Sequence, residues 1–94
     1  VARVRLSGQL VCADGAQRAL VEEHLPRHLE LTHAEPGCLS FAVVPTDDPL
    51  VWQVDELFVD EAAFALHQDR VRASEWGRAT AGIERLYEVA VEPD

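Results

Sequence analysis

A chain of 94 residues, 48% apolar and carrying a formal net charge of −9, has room for one domain. As a lone copy it is too short to bury much of its surface, so added burial against a second identical copy is expected. Every basic residue is an arginine, and the negative balance repels phosphate backbones, which excludes nucleic acid as a partner class. No apolar run is long enough to cross a membrane, and the start of the sequence lacks the basic segment, apolar stretch and cleavage site of a secretory leader. The expectation is a cytoplasmic protein with no membrane partner.

Val4 to Cys12 alternates, with Val4, Leu6, Gly8, Leu10 and Cys12 on one face, and reads as a strand. Asp14 followed three residues later by Gln17 has the form of a capping box and predicts a helix from about Gly15 to Thr32. Pro26 lies inside it, and the lost donor predicts a kink or break near His24. Glu35-Pro36-Gly37 ends the helical region. Leu39 to Val44 is the second strand, with Leu39, Phe41 and Val43 facing one way. A Pro- and Asp-rich turn leads to the third strand, Leu50 to Phe58, on which Trp52, Val54, Glu56 and Phe58 share a face. Asp60 caps a second helix on which Ala63, Phe64, His67 and Val71 form the apolar stripe. Ser74 caps a short helix through Trp76 to Ala81, Gly82 breaks it, and Ile83 to Val91 is the last strand, with Arg85, Tyr87, Val89 and Val91 on one face.

The order β, α, β, β, α, β is that of the split βαβ, ferredoxin-like α+β fold, a single domain over residues 1–94. It implies a four-stranded antiparallel sheet with the helices on one face. Val11, Val44, Val51 and Leu57 fall on the other face. A second sheet from an identical chain would cover them and close a dimeric α/β barrel, so a homodimer is the expected assembly.

Several side chains are candidates for chemistry. Glu56 shares its strand face with apolar neighbours, and a buried carboxylate without a partner is costly or takes up a proton. His67 lies on the stripe that packs against that sheet, so carboxylate and imidazole can meet. The pair either ties helix to sheet or handles a proton in a pocket. Trp76 either packs or stacks on an aromatic ligand. Arg85 either pairs with an acid such as Glu56 or stabilises a developing anion, and Tyr87 beside it can donate a hydrogen bond. Trp52, Phe41 and Phe64 supply apolar walls. His24 and His28 have a metal-compatible spacing but flank Pro26 and lack a neighbouring carboxylate–His signature, so a solvated face is the expectation and no metal site is assigned. His33 is placed to cap carbonyls at the helix end. Cys12 and Cys38 lack the spacing of a zinc or redox pair and are expected to be buried reduced thiols.

The segments AEPGCLSF (Ala34–Phe41) and DEAAFALHQ (Asp60–Gln68), together with the acid Glu56 near the end of the third strand, resemble the antibiotic biosynthesis monooxygenase family over roughly Val4 to Val91. That family includes small quinol monooxygenases built as dimeric α/β barrels. The absence of asparagine speaks against its haem-degrading branch, and Phe58 stands where many relatives carry a tryptophan. The resemblance implies a cofactor-independent monooxygenase that oxidises a small aromatic substrate, a quinol- or anthrone-like phenol, with O2. His67 would then move the proton, Glu56 orient it, and Arg85 or Trp76 hold the oxygen anion. The rival readings are a non-catalytic dimer that binds a small ligand and an isomerase of a small carbonyl compound.

Overall fold

The computed structural model describes residues 2–93. Its elements are β1 (Arg3–Val11), α1 (Gly15–His33), β2 (Cys38–Pro45), β3 (Val51–Phe58), α2 (Glu61–Arg72), α3 (Glu75–Ala79) and β4 (Glu84–Glu92). The four strands form one sheet in the order β2-β3-β1-β4, every neighbouring pair antiparallel. This is the ferredoxin-like α+β arrangement, with α3 as a short addition. The sheet is open, its edges being β2 and β4.

The caps follow from the sequence. The Asp14 carboxylate accepts from the Gln17 N–H at 3.0 Å, while the Gln17 amide oxygen reaches back to the Ala13 N–H at 2.7 Å. The Asp60 carboxylate accepts from Ala63 N–H at 2.8 Å, and the Ser74 hydroxyl from Gly77 N–H at 3.0 Å. Each satisfies a first-turn donor that the helix itself leaves free. Of the kink or break expected near His24, the break does not occur: α1 continues through Pro26. Pro26 and Glu22, the residue whose carbonyl loses its donor, both lie on the exposed side of the helix, where water can replace the bond.

The strand register gathers the period-two apolar residues on the helix-covered face. Val4 pairs with Phe58, Leu6 with Glu56 and Leu10 with Trp52; on β2, Val43 pairs with Val54 and Phe41 with Glu56. Leu6, Leu10, Val54, Phe41, Val43 and Trp52 join Val21 and Leu25 of α1 and Trp76 of α3 in one core cluster, each large apolar side chain contributing about 1.5–3 kcal/mol by leaving water. Leu39 departs from the expected pattern. The β2–β3 register shifts between Cys38 and Ser40, which puts Leu39 at 51% exposure instead of beside Phe41. The extra residue of the irregularity turns that one side chain out of the alternation.

Two glycines hold elements at contact distance. A Cβ at Gly8 would sit 2.0 Å from the Leu86 carbonyl oxygen, and its φ of +156° suits no other residue well. A Cβ at Gly37 would sit 2.3 Å from the Ala63 methyl. The Glu35-Pro36-Gly37 turn therefore lies directly against the first half of α2. That contact carries Glu35 to His67.

Among the described residues, no helix is long and apolar enough to cross a membrane. The sheet face away from the helices holds half-buried Val11, Val51 and Leu57, with Val44 and Leu86 exposed.

Candidate functional site

His67 is 3% exposed, one turn before Arg70 on the inward side of α2. It lies among rings: Phe58 at 4.8 Å between centroids, Phe41 at 5.6 Å and His28 at 6.2 Å. Its Nδ1 is 2.8 Å from Glu35 Oε1, and its Nε2 is 3.7 Å from Glu56 Oε1. The expected pairing of His67 with Glu56 is therefore present as a close approach, while the hydrogen bond goes to Glu35. Glu35 also accepts from Arg70 Nε through its second oxygen, and Arg70 Nη2 donates to the Thr32 hydroxyl at 2.9 Å. The four-residue network joins the end of α1, the turn after it and the inward face of α2.

Burial sets the protonation states. Glu56 is 6% exposed, and desolvation, reinforced by the negative charge of Glu35, pushes its carboxyl up to about 8 against an opposing pull from Arg85. His67 is lowered by burial, which outweighs the opposing hydrogen bond and charge of Glu35. Near neutral pH the imidazole is accordingly neutral. Its Nδ1–H donates to the Glu35 carboxylate, leaving a lone pair on Nε2. The Nε2 lone pair faces a carboxyl that holds its proton, and Glu56 Oε1 has no hydrogen-bond partner among the protein groups.

The remaining candidates divide. Phe41 stands in the wall around His67 and packs edge-on against His28 at 5.2 Å. Trp76 is buried and stacks on His28 with centroids 4.5 Å apart and planes within 3°. Phe64 packs on Phe58 at 5.5 Å. Trp52 is a core residue paired with Leu10 and Pro45, four positions along β3 from Glu56. Arg85 does not bond Glu56. Its Nη1 donates to the Thr80 and Ile83 carbonyls at 2.8 and 3.0 Å and its Nη2 to the Thr80 hydroxyl at 2.8 Å, which ties β4 to the end of α3. Tyr87 is half-buried next to it, its hydroxyl pushed up to about 12 mainly by burial.

Three expectations are corrected. His28 is not on a solvated face: it is 4% exposed, and burial, together with the charge of His67 once that ring is protonated and those of Arg70 and Arg85, pushes it down to about 3. The helix continues through Pro26 and turns this side chain inward under α3. The His33 ring reaches the Phe41 carbonyl at 3.0 Å instead of the helix-end carbonyls. Cys12 is buried but Cys38 only half-buried; both are free thiols. Among the described residues, no group of three His, Cys, Asp or Glu side chains converges as a metal ion would require.

Glu35, Arg70 and Thr32 were missed by sequence reasoning, although the three-residue step from His67 to Arg70 places both on one helical face. Two clefts flank their network. One of about 310 Å³ is lined by Glu35, Cys38, Ala63, Leu66, His67 and Arg70, among others, and is largely apolar. The other, about 250 Å³, lies between the second half of α1 and α3, with Arg70 and Trp76 in its wall. Glu56 lines neither.

The family model for antibiotic biosynthesis monooxygenases matches residues 10–79, a span that includes Glu35, Glu56, His67, Arg70 and Trp76. The chain belongs to the antibiotic biosynthesis monooxygenase family. The matched span leaves out Arg85 and Tyr87. A Nitrosomonas europaea protein named for the same family superposes with a TM-score of 0.74 at 18% identity, covering 99% of this chain and 89% of that one. Rv0793 from Mycobacterium tuberculosis gives a TM-score of 0.70 at 20% identity, with 98% and 94% covered. A conserved Bacteroides thetaiotaomicron protein of unknown function gives 0.74 at 14% identity, with 96% and 97% covered. At these identities the superpositions establish the shared fold. No curated protein matches the chain.

Proposed function

We propose that the protein is a cofactor-independent monooxygenase of an electron-rich hydroxyaromatic, a quinol- or anthrone-like phenol, acting as a homodimer. One observation carries the reading. His67 is a neutral, buried imidazole in the wall of a largely apolar cleft, held by Glu35 so that its free nitrogen is a base. Family membership agrees with it.

In this chemistry the substrate supplies the electrons. His67 takes the acidic proton, and the resulting anion passes one electron to O2. The radical pair recombines with formation of a C–O bond, and the resulting peroxide anion takes the proton back from the His67 imidazolium to give the hydroperoxide. For an anthrone-like methylene, the hydroperoxide then loses water: a C–H and the O–O bond break, a carbonyl forms, and the second oxygen leaves as H2O. Electrons balance, because the four removed from carbon reduce one O2. Arg70 lines the same cleft and supplies positive charge beside the phenolate. Glu56, protonated at working pH, sits beyond the imidazole as a neutral neighbour 3.7 Å from Nε2 and leaves the captured proton on His67. Arg85 acts through its field, which opposes the upward shift of Glu56, and Phe41 and Phe58 keep water from the ring. The homodimer is supported by the open sheet face, where Val44 and Leu86 are 47% and 55% exposed.

The reading is tested by oxygen uptake with a panel of hydroquinones and anthrones under 18O2. One labelled atom in the product and one in water supports it. No uptake with any of them, at enzyme concentrations where the dimer is present, removes it. The rival, a non-catalytic ligand-binding dimer, draws on the exclusion of Glu56 from both clefts and predicts saturable ligand binding without uptake.

A further inference from the structure

The smaller cleft is not used by the proposed oxygenase, and neither His67 nor Glu56 lines it. Its charge is at odds with the rest of the chain. The protein carries −9 overall, yet the wall of this cleft brings Arg27 and Arg70 together against the single acid Glu75. Low-dielectric walls concentrate the field of such a group toward a small anion.

The donors are also incompletely used. Arg70 spends Nε on Glu35 and Nη2 on Thr32, while its Nη1 is buried without a hydrogen-bond partner. A buried donor left unmade is costly, and an acceptor brought to it recovers that cost. Arg27 is held only by Glu30, in a pair 70% and 69% exposed, so it is free to swing to a stronger partner. His24 is close to Glu23 at 2.9 Å. The aromatic component of the wall is Trp76, whose indole is fixed in place by its stack on His28. At about 250 Å³ the space is below the range that holds drug-sized ligands, so one or two fused rings are the limit.

We infer that this cleft is a separate binding site for a small aromatic carboxylate, its ring against Trp76 and its carboxylate between Arg27 and Arg70. Arg70 Nη1 is the donor that requires no existing bond to be given up. Glu75 is the opposing charge and limits affinity. The inference stands apart from the oxygenase reading, since a ligand can bind here whether or not the protein consumes oxygen.

The test is a 1H–15N NMR titration of the whole protein with benzoate and 2-naphthoate, and with benzyl alcohol and 2-naphthylmethanol as uncharged counterparts. The expected result is saturable shifts of the Trp76 indole N–H and the Arg27, Ser74 and Glu75 amides, produced by the acids and not by the alcohols. Arg27→Gln, at an exposed position that leaves the fold intact, weakens binding by about fivefold. Glu75→Gln tightens it by a similar factor. Three results would each overturn the inference: no saturable shift at millimolar acid, equal affinity for acid and alcohol, or shifts centred on Gly37, Cys38 and Ala63 of the other cleft.

Discussion

Glu56→Gln gives a pH profile of stability that follows from two buried groups. In the folded protein burial pushes Glu56 up to about 8 from its ordinary value of 4.5. Between those values the unfolded chain releases this proton and the folded chain keeps it. The stability contributed is therefore complete below about pH 4.5 and is lost as pH rises to about 8, at slightly more than about 1 kcal/mol per pH unit and close to 5 kcal/mol in all. His28 has the opposite slope. Its folded value is about 3 against 6.5, so the unfolded chain takes up a proton that the folded chain refuses, and stability falls as pH drops from 6.5 toward 3. The two slopes cancel between about pH 4.5 and 6.5. The wild type should show a plateau there, a fall on the acid side from His28, and a fall on the alkaline side from Glu56. The glutamine variant keeps the shape of the neutral side chain and removes the Glu56 slope, and with it both the plateau and the alkaline limb. Its stability should climb to about pH 6.5 and then stay level, exceeding the wild type by several kcal/mol, at most about 5, near pH 8. Urea denaturation at fixed protein concentration across pH 4 to 9 measures both curves. Parallel profiles for the two proteins would refute the reasoning, because they would mean Glu56 titrates alike folded and unfolded.

Other predictions follow from single contacts. Because Glu35 raises the His67 pKa by its hydrogen bond and charge, Glu35→Gln should lower it further, read from the imidazole 15N shifts; an upward move contradicts the assigned geometry. Gly37→Ala forces a methyl to within 2.3 Å of Ala63 Cβ and should destabilise by about 1–3 kcal/mol, with loss of the Glu35–His67 coupling in the same NMR spectra. Trp76→Ala removes the indole stacked on His28 and should cost about 3–5 kcal/mol in chemical denaturation.

Local chemistry made the fold readable. Asp14, Asp60 and Ser74 marked three helix starts because a cap needs only its own next turn. Alternation along β1 and β3 fixed which face is buried, and with it the burial of Glu56. The helical step from Ala63 and Phe64 to His67 put the imidazole inside. What could not be read depends on docking between distant segments. Glu35 is 32 positions from His67, and nothing in the turn signal Glu-Pro-Gly says that Gly37 lets the turn lie against Ala63. His28 was misplaced because Pro26 obscured the inward face of α1, and Leu39 because a one-residue irregularity leaves no trace in the alternation. Arg85 shares a strand face with Tyr87 as expected, but its guanidinium is committed to the Thr80–Ile83 connection, a contact set by where α3 ends.

The central claim is that a neutral His67, oriented by Glu35, withdraws the proton that starts the reaction. The most direct measurement is the rate of oxygen consumption with an anthrone substrate by the wild type and by His67→Ala, both verified as folded. A loss of at least about a hundredfold is expected, the usual share of a positioned base. A variant that consumes oxygen as fast as the wild type would contradict it.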